Sequence, residues 1–131
     1  MKPTIFTFSL ISFILLGCSK SSQPTEIQLG IDINGKSTMY APSQNFSLEL
    51  DANFDGGYQW FCNISNASVV QLDSTSFRSK SGQQIDGGLA VETFYFRTIN
   101  RGQSIISLNE CRGWEKDIPP INTVQFAVLV K

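Results

Sequence analysis

The chain of 131 residues contains no histidine and three cysteines, Cys18, Cys62 and Cys111. Without an imidazole, Ser-His-Asp and Cys-His activation of a nucleophile is closed, and so are metal sites built on histidine. Two spare cysteines do not make a zinc site, and no pair of carboxylates is spaced in a way that points to acid–base work. The reading is therefore not an enzyme, with no metal and no cofactor implied. What remains is recognition, and three stretches have the residue types for it. They are Asn53-Phe54-Asp55-Gly56-Gly57-Tyr58-Gln59-Trp60, Ile85-Asp86-Gly87-Gly88 and Cys111-Arg112-Gly113-Trp114-Glu115. Paired glycines let a backbone take positive φ, which a projecting loop needs and a β-carbon resists. Large aromatics at the loop exit pin its ends, and that combination builds a binding loop.

The individual residues have plainer readings beside the functional ones. Period-2 alternation carries Tyr58, Trp60 and Cys62 to one face, so Trp60 reads as a core aromatic. Trp114 lies beyond the last alternating residue of its strand and reads as an exposed contact, with loop packing as the alternative. Arg112 is either a contact or a surface charge paired with Glu115 or Glu110, worth little to stability. The four glycines Gly56, Gly57, Gly87 and Gly88 are either contact-loop residues or ordinary turn residues.

The elements that must position these loops are strands. From Glu26 onward nearly every segment alternates, and no stretch sustains a helical period. Ile27, Leu29, Ile31 and Ile33 alternate, and Asn34-Gly35 after them signals a hairpin. Ser37 to Tyr40 and the Phe46, Leu48, Leu50 run follow. Tyr58 to Ile64 leads out of the first glycine loop, and Val69, Val70 and Leu72 suggest a short strand. Arg78 to Gln84 reads as a polar connection. Val91 to Thr98, Ser104 to Glu110 and Val124 to Val130 complete the set. Seven or more short strands with frequent turns indicate an all-β antiparallel sandwich. The glycine-marked loops follow alternate strands, which in a Greek-key sandwich places all three at one end.

The N-terminus reads as an address. Met1-Lys2 precedes an apolar run from about Ile5 to Leu16, too short to span a membrane and shaped like an export signal. Leu15-Leu16-Gly17-Cys18 looks like a bacterial lipobox, in which Cys18 takes the lipid. The expected division is a signal peptide over 1–17, the lipidated cysteine and tether over 18–25, and the sandwich over 26–131. The protein would then be exported and lipid-anchored to the cell envelope, on its periplasmic face or surface, with the membrane held through Cys18. A net charge of −1 without a basic run argues against a nucleic-acid partner. With Cys18 committed to lipid, Cys62 and Cys111 suggest one disulfide, the alternative being two free thiols.

As a set and in order, the three loops resemble those of the chagasin family of cysteine-peptidase inhibitors. Asn53, Gly57, Tyr58 and Trp60 match its Asn-Pro-Thr-Thr-Gly-(Tyr/Phe)-x-Trp loop, Gly87 and Gly88 its Gly-x-Gly-Gly, and Arg112 and Trp114 its Arg-Pro-Trp. The similarity runs from about Phe46 to Val130. It implies an immunoglobulin-like sandwich whose loops form a wedge entering the cleft of a papain-like cysteine peptidase, reversibly and without covalent chemistry. Carried over by position, Asp55, Gly56 and Gly57 would approach the catalytic cysteine of the target. Gly87 and Gly88 would grip one rim of the cleft, and Arg112 and Trp114 the other, with the inhibitor acting as a monomer.

The departures are specific. Phe54, Asp55 and Gly56 stand for Pro, Thr and Thr, Gly113 stands for the proline of the third motif, and Ile85 for the first glycine of the second. The competing expectation is a diverged immunoglobulin-like surface lipoprotein that uses the same end for adhesion or for binding a glycan or protein ligand.

Overall fold

The computed structural model describes residues 26–80 and 88–131. The expected export segment and tether, with Cys18, and Gly87 lie outside the described residues. Eight strands make up the domain: β1 (Ile27–Leu29), β2 (Ser37–Tyr40), β3 (Asn45–Asn53), β4 (Tyr58–Ile64), β5 (Val70–Ser79), β6 (Leu89–Thr98), β7 (Gly102–Arg112) and β8 (Asn122–Val130). They form two four-stranded sheets, ordered β1-β3-β6-β5 and β2-β8-β7-β4, packed as an immunoglobulin-like sandwich. Each sheet is mixed, because β1 runs parallel to β3 and β2 runs parallel to β8. The other pairings are antiparallel.

The parallel edges arise from one turn. After β1 the chain makes a single 3-10 turn over Ile31–Ile33 and crosses to the other sheet, with Ile33 buried and Ile31 61% exposed. The Asn34-Gly35 hairpin expected from sequence is not formed. A hairpin turn of that kind needs positive φ at both residues. Here Asn34 has φ −54° and ψ 129° and only Gly35 is left-handed, at φ 75°. That is a type II turn, closed by Lys36 N–H donating to the Ile33 carbonyl at 2.9 Å. Asn34 Oδ1 also accepts from Gln125 N–H at 2.9 Å, so the turn is tied to β8 rather than to a hairpin partner.

Alternation does the rest. Phe46, Leu48 and Leu50 of β3 and Phe94 and Phe96 of β6 face inward from one sheet. Ile106 and Leu108 of β7 and Val124, Phe126 and Val128 of β8 face them from the other, and all ten are buried. Trp60 joins them from β4, its indole N–H donating to the Asp51 carbonyl across the sheets at 2.9 Å. A buried indole with its N–H satisfied adds a large apolar area without an unpaired polar group. The strand β5 is longer than the sequence suggests, taking in Arg78 and Ser79, with a bulge between Leu72 and Ser74.

The expected disulfide is absent: Cys62 and Cys111 are free. The β4–β7 register runs unbroken from Tyr58 opposite Arg112 to Ile64 opposite Ile106, so no bulge corrects the phase. Cys62 lies opposite Leu108 and Cys111 opposite Gln59, three rungs apart. Cys62 also shares the inward face of Trp60, whereas Cys111 shares the outward face of Gln59. Three rungs are about 10 Å along a strand, and Cα atoms more than about 7 Å apart are not bridged without moving the backbone.

Candidate functional site

Register alone gathers the loop ends. Asn53, the last residue of β3, lies opposite Leu89, the first of β6, and Ser79 lies opposite Ala90. In the other sheet Tyr58 lies opposite Arg112, and Glu110 opposite Asn122. The four residues between Asn53 and Tyr58 join the two sheets at this end. The loops β3–β4, β5–β6 and β7–β8 (loops 1, 2 and 3) therefore leave the sandwich together.

Loop 1 is a tight turn made by its own residues. The Asn53 side-chain oxygen accepts the Asp55 N–H at 3.0 Å, a local turn that asparagine favours, and Gly57 N–H donates to the Phe54 carbonyl at 3.3 Å. Gly56 and Gly57 are both left-handed, at φ 76° and 79°. A Cβ on Gly57 would also overlap the indole of Trp114, which lies over it. The Asp55 carboxylate projects into solvent at the tip. Phe54 turns back to meet Phe77 of β5 edge-on, ring centroids 5.1 Å apart, bracing the loop against the first sheet.

Loop 3 reaches loop 1 through Arg112. Its Nε donates to the Gly56 carbonyl at 2.6 Å, and its guanidinium sits 4.5 Å from the centre of the Tyr58 ring. Arg112 is thus neither a free surface charge nor an unoccupied contact. Glu115 was one of the two partners the sequence offered for it, and the one the structure selects: Nη1 lies 3.0 Å from Glu115 Oε1, while Glu110 is inward-facing and bonded to Asn122 at 2.7 Å. Gly113 has no left-handed backbone. Its glycine makes room for Phe61, whose ring a Cβ would meet at 3.3 Å. Trp114 is 68% exposed, as an outward contact requires.

Of loop 2 only its two ends are described: Lys80 N–H donates to the Leu89 carbonyl at 3.2 Å, Gly88 is left-handed at φ 107°, and Leu89 after it is 63% exposed. The described geometry thus brings Asn53, Asp55, Gly56, Gly57, Arg112, Gly113 and Trp114 to one end and places Gly88 at the same end, next to Leu89 opposite Asn53. Sequence reasoning missed Phe54 and Leu89 and did not foresee the contact between Phe54 and Phe77. Phe54 and Phe77 are 23 positions apart in the chain, and only the β5–β6–β3 pairing brings them together.

The chemistry of the cluster is that of binding. The half-buried Cys62 thiol is pushed up to about 11 by desolvation, so it is not a thiolate at neutral pH. An exposed indole, an exposed carboxylate and a glycine backbone held open at the tip offer shape, charge and hydrogen bonds to a partner.

The comparisons agree with the fold. A family model described as chagasin family peptidase inhibitor I42 matches residues 41–128. Among solved structures, the cysteine protease inhibitor EhICP2 from Entamoeba histolytica superposes with a TM-score of 0.70 at 18% identity, covering 80% of this chain and 95% of that one. Amebosin matches with a TM-score of 0.67 at 18% identity, covering 81% and 98%. PbICP-C, solved in complex with falcipain-2, matches at 0.54 and 14% identity, covering 83% and 93%. No curated protein matches the chain.

Proposed function

The chain belongs to the chagasin family of peptidase inhibitors, and on that premise we propose that it is a reversible, non-covalent inhibitor of papain-like cysteine peptidases, its three loops entering the active-site cleft as a wedge. The observation that carries this reading is the convergence of loops 1 and 3, with the Trp114 indole exposed beside the left-handed tip of loop 1. The likeness to PbICP-C, which was solved with falcipain-2, supports a peptidase as the partner.

The mechanism follows from the tip. A peptidase attacks a substrate held extended across its cleft. Two successive residues at φ near +76° and +79° turn the backbone away from that shape, so the tip fills the cleft without aligning a bond for cleavage. Trp114 supplies the large apolar anchor, and Asp55 is the charge nearest the catalytic cysteine. Outside the described residues, Gly87 completes the loop 2 contact, and lipid on Cys18 holds the domain at the bacterial cell envelope as a tethered monomer.

Titration of papain and of cathepsin-like and bacterial cysteine peptidases with the chain from Ser19 onward tests the reading. A wedge of the usual protease–inhibitor size, about 1,600 Å², concentrates its energy in a central aromatic at a truncation cost of at least about 2 kcal/mol. Trp114→Ala is expected to weaken inhibition by about thirtyfold or more with little change in melting temperature. Absence of inhibition of every such peptidase by the folded wild type would overturn the proposal and leave the loop end as a site for another ligand.

A further inference from the structure

From within, loop 1 is stiffened only by local bonds such as the Asn53 side chain accepting the Asp55 N–H at 3.0 Å, and Phe54, its first residue, braces it on Phe77. It holds two consecutive glycines and no proline, and the backbone bond from Gly57 N–H to the Phe54 carbonyl is long at 3.3 Å. Glycine loses more conformational freedom on ordering than any other residue. An inhibitor that ordered this tip only on contact would lose affinity by the cost of doing so.

The turn of loop 3 lays three features against it. Glu115 N–H donates to the Arg112 carbonyl at 3.1 Å, which closes the turn and brings the Glu115 carboxylate back to Arg112. Arg112 then holds the Gly56 carbonyl through Nε at 2.6 Å while Nη1 meets Glu115 Oε1 at 3.0 Å. Between them Trp114 covers Gly57. The guanidinium is a rigid fork, so fixing one arm fixes the direction of the other. The pair is partly shielded, at 32% and 21% side-chain exposure, and is a charge-assisted bond rather than an open surface pair.

We propose that Glu115 is a positioning residue: it aims Arg112 at the Gly56 carbonyl and so delivers loops 1 and 3 to the peptidase as one preformed unit. The inference rests on the inhibitor reading above. Without Glu115 the guanidinium is free to swing toward water, and only a fraction of molecules holds the tip in its binding shape. Apparent affinity then falls by that fraction. Because the contacts to the peptidase are unchanged, the loss appears in association and not in dissociation.

The test compares full-length wild type with Glu115→Gln, and with Arg112→Lys as a second variant that keeps the charge but loses the fork. Amide hydrogen exchange over residues 53–58 reads the brace directly, and stopped-flow inhibition of papain reads its consequence. The expected result for Glu115→Gln is exchange faster by about fivefold or more. Association should slow by roughly three- to tenfold, with dissociation within about twofold of wild type and the melting temperature unchanged. Unchanged exchange, or a loss confined to dissociation, overturns the positioning role and makes Glu115 a direct contact or a bystander. Faster exchange with unchanged association overturns it too, since order in loop 1 would then not matter for binding. If wild type itself fails to inhibit, the inhibitor reading falls first and this role with it, and the exchange rates still report separately whether the brace exists.

Discussion

Gly56 and Gly57 look alike in the sequence but are held to glycine by different neighbours. Both are left-handed. In addition, a Cβ on Gly57 would run into the Trp114 indole, whereas one on Gly56 would stand 3.1 Å from Arg112 Nη2 and 3.7 Å from the Tyr58 ring. Replacing Asp55 and Gly56 together by threonine, to match the family's loop, is therefore barred at the second position, because a β-branched residue is strained at φ 76°. Asp55 alone is open to change. Its exposed carboxylate would face the thiolate of a papain-like target, and two like charges in a partly desolvated cleft repel by about 1 kcal/mol or more. Asp55→Thr is expected to tighten papain inhibition roughly fivefold, more at low salt. Measured inhibition constants that rise instead would mean that Asp55 pairs with the imidazolium.

At the scale of the element, β6 carries an inward carboxylic acid. Glu92 follows the alternation of Phe94 and Phe96, lies opposite Leu50 on one side and Phe77 on the other, and is 5% exposed. Desolvation raises its pKa to about 7 from 4.5. The folded-state value lies above the unfolded one, so Glu92 contributes full stability below pH 4.5. That contribution is lost as pH rises through 7. Between pH 4.5 and 8 the effect is on the order of 3 kcal/mol. Glu92→Gln should flatten this part of the melting-temperature profile relative to wild type; parallel profiles for the two proteins would show that Glu92 ionises without cost. Because Glu92 is three residues beyond Leu89, the pH effect is expected at the root of loop 2.

At the scale of the molecule, the sandwich is held by apolar packing between two sheets and by no covalent link among the described residues. With Cys62 and Cys111 on opposite faces of one sheet, oxidation cannot join them within a folded chain. Alkylation under non-reducing, denaturing conditions, read by mass spectrometry, should label both thiols. In the native protein Cys62 should react slowly, since its thiol is pushed to about 11. Reductant should leave the melting temperature unchanged. A recovered Cys62–Cys111 linked peptide would show that the β4–β7 register differs from the one described.

The sequence by itself determined the strands whose side chains alternate against a single core: β3, β6, β7 and β8, with Phe46, Leu48, Phe94, Phe96, Ile106, Leu108, Phe126 and Val128 inside. Period-2 burial is a local property, legible wherever one face is dry. It also placed Trp60 in the core, Trp114 outside, and the loops at one end, because loop order and a Greek key suffice for that. Tertiary structure alone decided the rest. Asn34-Gly35 became a crossing turn because β1 and β2 found parallel partners in different sheets, and local turn propensity does not choose between sheets. The cysteines stayed apart because register fixes which face each residue occupies. Arg112 met Gly56 and Tyr58 once the β4–β7 pairing had brought loops 1 and 3 together. Contacts between residues about 55 positions apart depend on that pairing, and no local pattern in either loop encodes it.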